Sequence, residues 1–233
     1  MRYTALDAIR GTSVLGMIFF HANYLLEYIF IQDIIPFGDG FWNILRYMIV
    51  ITFIFLAGFV SVLSFQRNSI DTIIQKTLKR AGILSFLALS VTIVTYLFIP
   101  EFGISWGILH FLALASLIGI FTIRSGYLAF ILGIFVLSFP YISSLDIASV
   151  FLIPIGFPPG DYASADYYPL IPWFGYYLIG QGMGYIFIRY QLLVYLDWNL
   201  SENNFLTFFG RYALIIYMIH VPILYGVFWI LWR

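Results

Sequence analysis

Apolar runs separated by short polar connections dominate this chain. They fall at 6–28, 41–64, 78–99, 105–123, 127–147, 169–188 and 205–232. Each is close to the ~20 residues that a helix needs to cross the hydrocarbon core of a bilayer. The pattern therefore predicts about seven transmembrane helices. The segment DTIIQKTLKR ahead of the third run mixes apolar and basic positions and predicts an amphipathic extension of that helix. Pro140 interrupts the fifth run. The stretch 148–168 has room for a short re-entrant or interfacial piece. Neither an internal repeat nor a low-complexity tract is visible, and runs of such different character weigh against an inverted-repeat transporter.

Composition narrows the class. Of 233 residues, 62% are hydrophobic and 9% charged, which leaves no room for a separate soluble domain. The expected fold is an all-α integral membrane bundle forming one domain over 1–233. The apolar stretch at 6–28 is long enough to span rather than to serve as a cleaved leader. Net charge is zero, and without a basic domain nucleic acid is not an expected partner. The absence of cysteine excludes disulfides, thiolate catalysis and cysteine-held metal or iron–sulfur centres. Three histidines on three different spans have no local ligand spacing for zinc, so no metal is expected. The lipid bilayer is the expected surrounding, with a multi-pass chain in the cell membrane.

Charge sets the orientation. With the N-terminus inside, inner ends and loops collect Arg2, Arg10, Arg67, Lys76, Lys79, Arg80, Arg124, Arg189 and Arg211, against Arg46 and Arg233 outside. That bias predicts N-in, C-out. The outer side then holds Glu27, Asp33, Asp39, Glu101, Asp146, Asp161 and Asp166. Asn199-Leu-Ser has the form of a glycosylation triplet but falls on the inner side. The GxGxG of the sixth span lacks the βαβ setting of a dinucleotide site, and its small residues are expected to permit close helix packing.

The first span carries Arg10 and His21, eleven positions apart. Ionisable groups inside a span are costly and mark functional paths. Eleven steps of ~100° bring a helix back to within ~20° of its starting direction, with a rise of about 16 Å. One helix face thus presents a permanent cation near the inner end and an imidazole in the outer half. The other histidines, His110 and His220, together with Asp166 and Arg46, are expected in the outer half or near the midplane. A neutral imidazole can accept a proton from a hydroxyl or amine, or attack an acyl carbonyl itself. For His110 and His220 two readings stand: helpers in that chemistry, or rings that only satisfy carbonyls, His220 doing so beside Pro222. Arg46 reads equally as a cation snorkelling to the surface. The loop FPPGDYASADYYP suits a carbohydrate or an interfacial aromatic belt.

The fragments LDAIRGTSVLGMIFFH, FIFLAGF, GILHFLALASLI, ADYYPLIPWFGYYLIGQGMG and FGRYALIIYMIHVPIL occur in that order over nearly the whole chain. Together they resemble the catalytic-domain family of heparan-α-glucosaminide N-acetyltransferase in a short prokaryotic form. The Arg-x10-His spacing is similar to that of membrane acyltransferases that decorate bacterial surface glycans. The resemblance implies an acyl-CoA-dependent transferase with acetyl-CoA as co-substrate, a donor bound from the cytoplasm, and a glycan or small polar acceptor on the far side. It implies that His21 is the catalytic histidine and that Arg10 helps hold the donor. Asp166, His110, Arg211 and His220 match family-type positions, the first two as catalytic helpers and the last two on the donor side. A homodimer is common in such families. Two departures bear on the acceptor: the chain lacks the lumenal domain of the lysosomal enzyme, and that branch places its catalytic histidine differently in the first span. Heparan as acceptor therefore does not follow.

Elementary chemistry is compatible with that implication. Coenzyme A carries phosphates at one end, which suit guanidinium groups, and Arg10, Lys76, Lys79, Arg80, Arg124 and Arg189 are candidates. Its pantetheine arm, on the order of 15–20 Å by chain length, is comparable to the rise from Arg10 to His21. Two competing readings use the same residues. A transporter or channel for a small polar solute would employ the intramembrane Arg and His as substrate or proton sites. A non-catalytic scaffold would have no polar cavity between the first, fourth and seventh spans.

Overall fold

A computed structural model describes residues 3–32, 40–142, 147–198, 200–201 and 204–232. Arg2, Asp33, Asp39, Asp146, Asn199 and Arg233, named above, lie outside them. Helices make up most of the described residues, and their only β pairing is an isolated parallel bridge between Trp106 and Tyr167. The helices are α1 (Thr4–Tyr28), α2 (Phe41–Arg67), α3 (Ile70–Phe98), α4 (Ile108–Thr122), α5 (Tyr127–Ile142), α6 (Leu170–Arg189), α7 (Phe205–Arg211) and α8 (Ala213–Leu231). Short 3-10 turns at Pro100–Phe102, Val150–Leu152 and Leu192–Leu196 punctuate the connections. Within 148–168 the helical structure is the 3-10 turn Val150–Leu152.

Local chemistry explains the boundaries. The Asn68 side chain donates to the Ser64 carbonyl at 2.7 Å and closes α2. Ser69 then caps α3, accepting from the Thr72 amide, which is the usual work of a serine at that position. The amphipathic extension and the third apolar run form one continuous helix. Gly126 turns the chain from α4 to α5 at φ 57°, a conformation that glycine adopts without steric cost. Ile171 leaves helical geometry at the start of α6, as expected for a residue preceding proline. The run at 205–232 differs from expectation: it is two helices broken at Tyr212. Asn204 caps the first of them, and Gly210 sits at the weak point, with poor helix propensity and a close neighbour described below.

The chain divides into two compact units. One comprises Met1–Phe53 and Leu192–Arg233, the other Ile54–Gln191, so α2 supplies its first half to one and its second half to the other. In the first unit Val14, Met17 and Ile49 form a core, covered by Phe20, Leu45, Phe209, Ile216 and Tyr217. In the second, Val62, Ile73 and Ile123 do so, with Phe65, Tyr185 and Ile188.

Among the described residues three helices, α2, α3 and α8, are long and apolar enough to cross a membrane, and α4 and α5 are apolar but shorter. α3 turns Phe86, Leu97 and Phe98 outward, each at least 70% exposed. Large apolar side chains in that position mark a protein that is solvated by lipid. α1 and α6 are long enough but more polar. Arg10 of α1 bonds Asp7, and Gln181 of α6 bonds Ser61, Gly119 and Thr122, so these polar groups have partners inside the protein.

Candidate active site

In the first unit α1 and α7 touch backbone to backbone. A Cβ at Gly11 would strike the Leu206 carbonyl, and one at Gly210 would strike the Asp7 carbonyl. Small residues permit this approach, and it fixes α1 at its polar end. There Arg10 Nη1 donates to Asp7 Oδ1 at 3.1 Å, three residues back on the same helix. Asp7 is buried. A carboxylate one turn before an arginine in the same apolar run is the sequence signal for this partner.

Further along α1, His21 meets His220 of α8. His220 Nε2 lies 3.2 Å from His21 Nδ1, and the rings meet edge to face with centroids 4.8 Å apart. His21 Nδ1 also lies 2.9 Å from the Met17 carbonyl. His220 Nδ1 lies 2.7 Å from the Tyr217 carbonyl and 3.1 Å from that of Ile216. These are not the Met218 carbonyl, which Pro222 leaves without its helical donor. His220 is buried, and Phe20 and Tyr217 wall the pair with their rings.

In the second unit two irregular segments run side by side ahead of α4 and α6. The Tyr168 amide donates to the Trp106 carbonyl at 3.3 Å, and the Trp106 indole N–H donates to the Tyr168 carbonyl at 3.2 Å. Ser105 and Tyr162 join their hydroxyls at 2.6 Å. Between them Asp166 Oδ2 accepts from the Ile108 amide at 3.0 Å, at the first residue of α4. His110 Nδ1 accepts from the Gly107 amide at 3.2 Å, and its ring stacks on Trp106. Its Nε2 is 3.5 Å from Thr92 Oγ1, whose own proton goes to the Ile104 carbonyl. Burial is the main cause that pushes the nearby Tyr167 phenol up to about 12, with Tyr162 adding to it; its hydroxyl stays protonated and donates to the Ile153 carbonyl at 2.8 Å.

The structure thus pairs His21 with His220, and sets His110 and Asp166 on the successive amides of Gly107 and Ile108. The cations expected on the donor side lie mostly on exposed surface. Lys76, Lys79 and Arg80 occupy the first third of α3, with Lys76 donating to Asn68 at 2.7 Å. Arg124 follows α4 and places its guanidinium over the Phe65 ring. Arg211 ends α7 and is partly buried. Arg46 is exposed on α2 and lies over Tyr47. Sequence reasoning passed over Gln181, which is 1% exposed on α6. Its amide donates to Ser61 and the Gly119 carbonyl and accepts from Thr122, tying α2, α4 and α6. One amide among the glycines of the sixth span was the signal.

A family model described as Heparan-alpha-glucosaminide N-acetyltransferase, catalytic, matches residues 2–222. No curated protein and no solved structure matches the chain.

Proposed function

The chain belongs to the heparan-alpha-glucosaminide N-acetyltransferase catalytic family, and on that premise we propose that it moves an acyl group, acetyl in the simplest case, from cytoplasmic acyl-CoA to a hydroxyl or amine of a glycan-type acceptor at the outer face. The chain acts as one domain over 1–233 with seven spans, N-in and C-out, in the cell membrane, and α7 with α8 forms the last span. The observation that carries this reading is the imidazole pair. His21 sits on the same continuous helix as Arg10, about 16 Å further along and on the same face, and is met by the buried imidazole of His220.

His21 acts as general base. It takes the proton of the acceptor hydroxyl or amine while the acceptor heteroatom bonds to the acyl carbon. The carbon–sulfur bond breaks, and the departing thiolate recovers the proton from His21. Acylated acceptor and free CoA leave. Arg10, oriented by Asp7, stands on the donor side. Lys76, Lys79, Arg80, Arg124 and Arg211 supply positive charge for the phosphates, where guanidinium groups give bidentate contacts. His110 and Asp166 bond backbone amides at the α4 N-terminus, and we assign them to positioning of that helix rather than to the chemistry.

The test is release of CoA from acetyl-CoA in the presence of an amino-sugar and sugar panel. Because the chain has no cysteine, a thiol reagent reads the product without background. Wild-type protein is expected to release thiol with one class of acceptor, and His21→Ala to lose that activity. Unchanged turnover in His21→Ala overturns the proposal. So does the absence of thermal stabilisation by both acetyl-CoA and CoA, combined with solute counterflow in liposomes.

A further inference from the structure

Both nitrogens of His220 and the Nδ1 of His21 have partners whose chemistry fixes where the protons lie. His220 Nδ1 faces only carbonyl oxygens, those of Tyr217 and Ile216. Carbonyls accept and never donate, so His220 Nδ1 carries a hydrogen. In a neutral imidazole its Nε2 is then a bare acceptor. That acceptor points at His21 Nδ1, 3.2 Å away, and the other partner of His21 Nδ1 is the Met17 carbonyl. Two acceptors around one nitrogen require it to be a donor. The proton on His21 therefore sits on Nδ1, and Nε2 is left with its lone pair. Among the described residues nothing bonds His21 Nε2. The opposite arrangement would aim ring lone pairs at three carbonyl oxygens.

We infer that His220 is a positioning residue that locks His21 in its Nδ1–H tautomer, so that Nε2 is the atom that takes the acceptor proton. The inference rests on the reading of His21 as the base; the tautomer assignment itself stands without it. When His21 Nε2 takes the proton, the resulting imidazolium keeps its Nδ1–H directed at His220 Nε2. A neutral imidazole then performs the orienting and stabilising work that a carboxylate does behind the histidine of a Ser-His-Asp triad. A neutral partner is suited to this place, because it avoids putting a further charge among apolar helices. His110 has the reverse assignment. Its Nδ1 accepts the Gly107 amide proton, so its hydrogen is on Nε2, aimed at the lone pairs of Thr92 Oγ1.

With three histidines in the chain, nitrogen NMR of histidine-labelled protein in nanodiscs resolves every ring. Single His→Gln variants assign the signals. His21 and His220 are expected to show bare Nε2 and protonated Nδ1, and His110 the opposite. A protonated Nε2 with bare Nδ1 on His21 overturns the inference. The kinetic arm compares His220→Leu with His220→Gln, whose side-chain oxygen can replace the acceptor at Nε2. His220→Leu is expected to lower kcat on the order of ten- to a hundredfold, part of the value of a well-placed base, with little change in KM for acetyl-CoA. His220→Gln is expected to recover most of it. Equal kcat in wild type and His220→Leu overturns the positioning role, while loss of activity in His21→Ala would still uphold the base. If His21→Ala keeps full activity, the base reading falls, whatever the spectrum shows.

Discussion

Removing the Asp166 carboxylate separates a positioning role from a catalytic one. Its Oδ2 accepts the Ile108 amide proton at 3.0 Å, at the positive end of the α4 dipole. Loss of an N-terminal capping acceptor costs about 0.5–2 kcal/mol. Loss of the charge–dipole interaction adds about 0.3–1 kcal/mol at a partly exposed site. Asp166→Ala loses both, for about 2 kcal/mol, or a fall in melting temperature of roughly 4–8 °C in a chain of this size. Asp166→Asn keeps an acceptor oxygen and is expected to lose about 1 kcal/mol or less. Turnover should follow stability, with the asparagine variant close to wild type at low temperature. A catalytic carboxylate would behave differently: the asparagine variant would lose about a hundredfold or more in kcat with an unmoved melting curve. The assay is CoA release beside a tryptophan-fluorescence melt on the same preparation. Asparagine as damaging as alanine to turnover, with both melts unchanged, refutes the positioning argument. Gly107→Ala provides a second route, since its Cβ would lie 2.5 Å from Asp166 Oδ2 and 2.9 Å from Ile104 Cγ2. It should displace the carboxylate and reproduce the alanine phenotype.

Gly58→Ala is expected to destabilise the protein, because its Cβ would strike the Tyr177 carbonyl where α2 and α6 cross, whereas Gly82→Ala, whose Cβ meets nothing within 4 Å, should be neutral or stabilising; paired melts check both. Gln181→Leu removes three hydrogen bonds of a buried amide and, at ~0.6 kcal/mol each in a membrane protein, should cost about 2 kcal/mol in mixed-micelle unfolding. Asp7→Asn takes the ionic partner from Arg10 and is expected to raise KM for acetyl-CoA several-fold with a smaller effect on kcat, read by titration of the donor in the thiol assay.

Most helix limits were legible because hydrocarbon thickness dictates the length of an apolar run, and α1 to α6 begin and end within a few residues of them except where local chemistry intervenes. α3 was readable in full, since its basic extension keeps a helical pattern. The break at Tyr212 was not, because Gly210 looks like any small residue in an apolar run until Asp7 of α1 is known to lie against it. Arg10 and His21 share a face because α1 is unbroken between them, a property that follows from spacing alone. Which imidazole meets His21 depends on which helix packs beside α1, and nothing local in YMIHVP encodes that. The pairing of residues 103–107 with 164–168 is likewise invisible, because two short irregular segments some sixty positions apart carry no periodic signal.

The Nδ1–H tautomer inferred for His21 also bears on whether that ring ever carries the acyl group. If Nε2 attacked the thioester, the product would be an acyl-imidazolium with its hydrogen still on Nδ1. Neutralising it requires that hydrogen to pass to His220 Nε2, making His220 an imidazolium whose Nδ1–H remains committed to two carbonyls. The acceptor would then attack with Nε2 of His21 occupied and no base at that atom, and His220 lies on the opposite, Nδ1, side of the ring. Direct transfer needs neither step, because one lone pair takes the proton from the acceptor and returns it to the thiolate. Wild-type protein given labelled CoA and unlabelled acetyl-CoA without acceptor should therefore show no exchange of label, and acid-quenched digests should show no acetylated peptide containing His21. Exchange without acceptor, lost in His21→Ala and accompanied by an acetyl-His21 peptide that vanishes when acceptor is added, would establish the covalent route instead.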